Sequence, residues 1–409
     1  MVFALFALIL TATAAAESRV ALYAAVGTEL TRWTVDVGGA ALEKRESVRC
    51  PASIQYAWPH PSRKYLYVAW SDGGPSGAAG RPTGGAKHGV TAFRVGADGV
   101  LTGHGAELAL VSRPVHITVD VAGEHLLVAH TIPSALTVYQ IAADGTLGAE
   151  VKQGALDAGV YAHQVRADPS GKQVILVTRG NVAAKGKPED PGALKVFDYA
   201  GGKLTNRASI APGGGFGFQP RHLDFHPAQP WVFVSVEAQN QLQVYRKSPD
   251  GSFSAAPAFV KSSLSKAGER DGQAASTVHV HPNGRFVYQG NRAGGTVEVN
   301  GKRVFAGGEN AIAVWALDAR SGEPKLVQNA DTRGFSPRTF ALDPEGRLLV
   351  AGNQVPMAVA KGREVVTEPA SLTVFRVGGD GRLTYARKYD LAGTSDARSL
   401  FWIGIVALP

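Results

Sequence analysis

The stretch Gln219–Arg246, QPRHLDFHPAQPWVFVSVEAQNQLQVYR, reads as three short strands joined by tight turns. A His-Pro turn separates HLDF from WVFVSV, and a polar joint leads into LQVY; short apolar runs bounded by turn residues are strand signals. Two charges sit oddly in this pattern. Arg221 stands at the start of the first strand and Glu237 at the end of the second.

Working outward, the same unit recurs. Its first two strands appear again as SIQYAWPHPSRKYLYVAW from Ser53, PVHITVDVAGEHLLVAH from Pro114 and AHQVRADPSGKQVILVT from Ala162. They return as STVHVHPNGRFVYQGN from Ser276 and PRTFALDPEGRLLVAGN from Pro337. A third strand follows each as TAFRV, LTVYQI, LKVFDY, LQVYR, IAVWAL and LTVFRV. Asp-Gly joints such as Asp98-Gly99, Asp144-Gly145, Asp250-Gly251 and Asp380-Gly381 suit tight hairpins. These are six full copies. The ends hold a split seventh: Ser18–Val26 and Leu30–Val37 read as second and third strands without a first, and Ser399–Leu408 as a first strand alone. Joining the halves predicts an all-β, seven-bladed β-propeller of four-stranded blades, closed by pairing of the N- and C-terminal strands.

Three Gly- and Pro-rich excursions follow second strands: Ser71–His88, Gly180–Pro191 and Gly294–Glu309, the last with a hairpin turn at Asn300-Gly301. They are expected on one face, where loops on a rigid scaffold shape a site.

Composition narrows the field. The 409 residues carry 44% hydrophobic and 19% charged residues, which excludes disorder. The formal charge of +8 comes from scattered Lys and Arg without a basic run, which argues for a solvated surface open to anionic small molecules rather than nucleic acid. The single Cys50 rules out an internal disulfide and a cysteine metal cluster. No HExxH, EF-hand, P-loop or CxxC pattern occurs, so neither a metal nor another cofactor is expected. The apolar run Val2–Leu10, the small residues through Ala16 and the abrupt Glu17 predict a signal peptide over residues 1–16, although no Lys or Arg precedes it. Residues 17–409 then form a single domain, a monomer, periplasmic or secreted, with no membrane span after cleavage.

Each first strand should line a central channel, so its starting end and the end of the second strand converge on one mouth. The starting ends offer Arg113, His116, His163, Arg221, His222 and Arg338. The second-strand ends offer Trp70, His130, Arg179, Glu237, Asn291 with Arg292, and Asn353 with Gln354. His60, His226 and His281 belong to the His-Pro turns and are read as structural.

PRHLDFHP with a Glu after the next strand, HPNGRFVYQGNR, and DPEGRLLVAGNQ with VFRV beyond resemble the lactonase family of seven-bladed propellers. That family includes propeller-type 6-phosphogluconolactonases and carboxymuconate lactonising enzymes. The resemblance implies His163, Arg221, Glu237 and Arg292 as catalytic residues; from their strand-end positions, His222, Asn291, Arg338, Gln354, His116 and Arg179 are expected to bind substrate. It implies a hydrolase opening a sugar or other acidic lactone. Glu237 or His163 would serve as base, and the arginines would hold a carboxylate or phosphate. Two readings stay open beside it: a lactonising cycloisomerase, and a non-enzymatic cell-envelope propeller binding an acidic ligand or a protein. The family usually has Asp-Leu-Gly and a second Asp where this chain has Val-Thr-Arg-Gly-Asn (Val177–Asn181), which adds Arg179.

Overall fold

The computed structural model describes residues 19–409 except 75–83, 185, 267–271, 300 and 396–397. The expected signal peptide and half of the Ser71–His88 loop therefore lie outside the described residues. Among the described residues, alternating apolar runs fold into seven blade sheets. Six have four strands, and the seventh adds a two-residue strand, Leu108–Ala109, to a path of four. Numbered along the chain, blades 1 to 6 have as innermost strands Ser53–Pro59, Pro114–Val119, Ala162–Ala167, Pro220–Phe225, Gln273–Val280 and Pro337–Leu342. Blade 7 is the split copy. Leu400–Ala407 is its inner strand, and Val20–Val26, Glu29–Asp36 and Ala41–Arg49 complete it. The two ends of the chain pair antiparallel from Val20 opposite Ala407 to Val26 opposite Leu400. Each inner strand touches the next in an unbroken circuit, so the sheet array has no open end.

The blades are glued by apolar faces, because a second strand buried on both sides packs against the sheets before and after it. Leu66, Val68 and Trp70 of blade 1 share a cluster with Tyr23 and Trp402 of blade 7. The turns lock the seams. His60, His226 and His281 each bond the carbonyl of the next blade's turn glycine, Gly123, Gly284 and Gly346, at 2.8, 2.8 and 2.9 Å. Those histidines are structural. A Cβ at Gly346, whose φ is +72°, would lie 2.2 Å from the His281 ring, so glycine is required there twice over.

The Gly294–Glu309 excursion forms the expected hairpin, Thr296–Val299 with Lys302–Phe305, although Asn300 of its turn lies outside the described residues. Blade 6 carries a second inserted hairpin that the sequence pattern did not disclose, Met357–Lys361 with Glu364–Glu368. It packs against the first.

Candidate active site

One backbone irregularity builds the mouth. In every blade the inner strand slips register against its neighbour near its start, leaving a bulge. The unpaired residues are Gln55, Val115, His163, Arg221, Ser276 with Thr277, Arg338 and Phe401. A bulge inserts one residue and re-aims its side chain. Two residues before three of these bulges the backbone is left-handed without glycine: Tyr161, Gln219 and Ser336 have φ of 59°, 40° and 52°. Such strain persists only where the surroundings enforce it, and it concentrates at functional sites.

Below the bulges the strand period of two resumes. The next residues, Tyr56, His116, His222 and Trp402, form a second tier that closes the channel. Ring centroids lie 3.9 Å apart for Tyr56 and His116, 5.7 Å for His116 and His222, and 6.0 Å for Tyr56 and Trp402. Two residues further down, Arg166 pairs with Asp224 at 2.9 Å and lies over the Trp58 ring.

The second strands contribute the rest of the mouth. Arg179, Glu237, Arg292 and Gln354 occupy equivalent positions, at or just beyond the last second-strand residue opposite the bulge. Glu237 is the hub. Its Oε2 lies 2.5 Å from Arg179 Nε, and its Oε1 accepts from Arg292 Nη2 and lies 3.4 Å from Arg221 Nε. Burial alone would raise the Glu237 carboxyl, but Arg179, Arg292 and Arg221 outweigh it and hold the group well below the usual carboxylate range. Arg338, over the Phe401 ring at 4.0 Å, is pushed down to about 9 by burial and by Arg292. Arg113 donates 3.1 and 2.7 Å bonds to Gln55, the bulge residue of blade 1. Burial lowers Arg221 strongly, with Arg292 and Arg338 adding to it; arginine starts so high that it remains a cation. Three guanidiniums thus pair with one carboxylate, and Arg338 adds a fourth positive charge that it feels.

His163 completes the group. Burial first, and then Arg221, hold its imidazole well below its ordinary value, so it is neutral at pH 7. Its ring lies 5.2 Å from that of His222 and stacks with Tyr161 at 6.3 Å.

The structure therefore brings together His163, Glu237, Arg221, Arg292, Arg338 and Arg179. The other expected residues sit elsewhere. His116 and His222 fall in the second tier, because the bulge shifts the strand by one residue and turns the following side chain into the channel. His116 is fully buried against Tyr56, and His222 Nδ1 is 2.9 Å from Thr277 Oγ1. Asn291 faces a seam between blades and exchanges two 2.7 Å bonds with Ser263. Trp70, His130 and Asn353 likewise bond third-strand threonines Thr91, Thr137 and Thr373. Gln354 stands at the mouth-end position but reaches Ser399. Tyr161, Gln55 and Phe401 belong to the site and were not singled out; aligning the copies on the bulge would have found the last two. Among the described residues no cluster of His, Cys, Asp and Glu could hold a metal.

Comparison with known proteins agrees with this architecture. The chain is 29% identical over 272 residues to the 6-phosphogluconolactonase of Bacillus subtilis, covering 65% of this chain and 70% of that protein. It is 26% identical over 322 residues to that of Serratia proteamaculans, covering 79% and 84%. The solved periplasmic gluconolactonase PpgL of Pseudomonas aeruginosa superposes with a TM-score of 0.69 at 19% identity, over 96% of this chain and all of that one, a likeness of fold. Residues 17–360 match the family described as Lactonase, 7-bladed beta-propeller, and the chain belongs to that family.

Proposed function

We propose that the protein is a lactone hydrolase acting on a small acidic lactone at the channel mouth. The observation that carries the reading is a neutral imidazole, His163, beside guanidiniums that outnumber their one carboxylate. The names of the curated relatives support the same reaction class.

The steps follow from charge. Arg221 and Arg338 hold the acidic group of the substrate and offset the charge that builds on the lactone carbonyl oxygen. His163 takes a proton from water as its oxygen bonds to the carbonyl carbon. The tetrahedral intermediate collapses, the ring C–O bond breaks, and the imidazolium returns the proton to the departing alkoxide. The product is the open hydroxy acid. Glu237 is a poor base here, since guanidiniums engage both its oxygens; it holds Arg179 and Arg292 in place. The tier of Tyr56, His116 and His222 shuts the channel below, so substrate and product use one face.

The apolar N-terminus supports export, and we place the reaction in the periplasm or outside the cell. Fractionation of tagged full-length protein tests that placement; retention in the cytosol would refute it. Purified protein tested against sugar and aromatic lactones, by acid release, should open at least one acidic member. Arg221→Ala should lose about 100-fold or more of kcat/KM, as expected when a charge-assisted contact is removed. Folded protein that opens none, or an unimpaired variant, would refute the reading.

A further inference from the structure

We propose that Arg179 is a positioning residue that makes the mouth select an oxyanion, by holding Glu237 across the seam between blades 3 and 4 and so keeping that carboxylate off Arg221. The inference rests on the anion-binding part of the reading above and not on lactone chemistry.

The geometry is specific. Arg221 is a buried cation, 1% exposed, and its Nε and Nη1 have no hydrogen-bond partner. Its Nε lies 3.4 Å from Glu237 Oε1, an ion-pair distance but not a directed hydrogen bond. A buried guanidinium with idle N–H groups costs free energy unless an acceptor arrives. The carboxylate at ion-pair distance is Glu237. What restrains it is the charge of Arg179, whose Nε forms an ion pair 2.5 Å from Oε2 without a directed hydrogen bond, with Arg292 on Oε1.

Arg179 is itself well anchored. Its guanidinium lies 5.3 Å from the Tyr161 ring centroid, and its backbone N–H donates to the Tyr161 carbonyl at 2.9 Å. Gly180 follows with φ +72°, where a Cβ would lie 2.2 Å from the Asp190 carbonyl oxygen, and Asn181 bonds Asp190 at 2.8 Å. The loop is thus pinned directly behind the clamp. Without Arg179, Glu237 would turn its freed oxygen toward Arg221, and the best-desolvated anion site in the mouth would be filled from within. The ligand chemistry is a carboxylate or phosphate group.

The test titrates inorganic phosphate into the full chain by calorimetry. Arg179→Gln should bind it roughly tenfold or more weakly, the size of one charge-assisted hydrogen bond. Arg179→Lys should fall between, because a point charge replaces a planar fork. The double variant Arg179→Gln/Glu237→Gln should recover to within about threefold of the parent, since no carboxylate then competes for Arg221. Unchanged affinity in Arg179→Gln overturns the proposal. So does a double variant as weak as the single one, which would make Arg179 itself the ligand contact, and so does a parent that binds no phosphate. If Arg179→Gln does not fold, the pair Arg179→Lys and Arg179→Lys/Glu237→Gln carries the same comparison. Lactone opening measured in parallel separates the two readings: phosphate behaviour as described without hydrolysis refutes the hydrolase and leaves the clamp standing.

Discussion

Blade 4 supplies a buried carboxylate to each end of the channel, and the two live in opposite electrostatic worlds. Asp224, on the inner strand, meets Arg166 at 2.9 Å, accepts the Val280 and Phe225 N–H groups at 2.9 and 3.0 Å, and has His279 3.8 Å away. Its guanidinium partner is sandwiched near Trp58 and Phe225. One negative charge faces one positive charge, and the hydrogen bonds close. Glu237, at the mouth, faces three guanidiniums with Arg338 and Arg113 beyond, and idle N–H groups remain on Arg179, Arg221 and Arg292. Balanced charge is how a fold secures its core. A standing surplus of buried cations lowers stability, and it makes sense where a ligand completes the set.

The largest effect should come from cutting the chemistry at the surplus end. His163→Gln should lower kcat by about 10²–10⁴-fold, the range of general-base removal, with little change in melting temperature. Asp224→Asn at the balanced end should keep kcat within a few-fold while lowering stability. Equal losses of kcat in the two variants would erase the contrast.

Stability should respond in the reverse sense. Asp224→Ala should cost about 3–5 kcal/mol in denaturant unfolding, because Arg166 is left buried without its partner. Replacing both, as Asp224→Leu/Arg166→Met, should recover much of that loss. If Asp224→Ala unfolds at the parent's midpoint, the pair is not what closes the lower channel.

Acid sharpens the comparison further. His116, His163 and His222 are all held well below their ordinary value, in each case mainly by burial. The unfolded chain therefore binds protons first. Stability is complete above about pH 6.5 and falls below it, by about 1.4 kcal/mol per pH unit for each histidine that must stay neutral. The carboxylates act later. Burial would raise Asp224, but Arg166 and His279 bring it to about 2, so its contribution is lost only as pH falls from about 4 toward 2. Unfolding free energy measured from pH 7 to 5 should decline, and His116→Gln should flatten the decline by one histidine. A flat profile over that range would contradict neutral burial of the tier.

Most of the architecture was legible in the chain because repetition amplifies a weak signal. One His-Pro turn says little, whereas turns recurring between paired apolar runs, with a split copy at the ends, specify a closed ring. The site was legible to the resolution of one residue and no finer. Bulges leave no mark in an alternating pattern, so Arg221 and His222 were both expected at the mouth, although the bulge sends the first to the mouth and the second into the channel. Asn291 and Arg292 were merged for the same reason; strand alternation puts one in a seam and the other on Glu237. The Met357–Glu368 hairpin left little trace because its turn, Gly362-Arg363, is not one of the Asp-Gly or Asn-Gly pairs that mark the other hairpins.

The smallest predicted effect is the most discriminating. Arg221→Met removes a cation buried to 1% exposure, flanked by Arg292 and Arg338, and replaces it with an apolar chain of similar reach. Glu237 keeps Arg179 and Arg292, so no carboxylate is stranded. In buffer free of oxyanions the variant should be more stable than the parent by about 1 kcal/mol, because unpaired donors and like-charge repulsion leave together. In saturating phosphate the order should reverse, since a ligand that binds only the folded parent stabilises it by mass action while the variant gains little. At the balanced end no such reversal is available: Arg166→Met should be less stable than the parent in either buffer. A variant of Arg221 that loses stability without phosphate would mean that its charge is already satisfied, and the mouth would then be a second structural lock and not a site waiting for an anion.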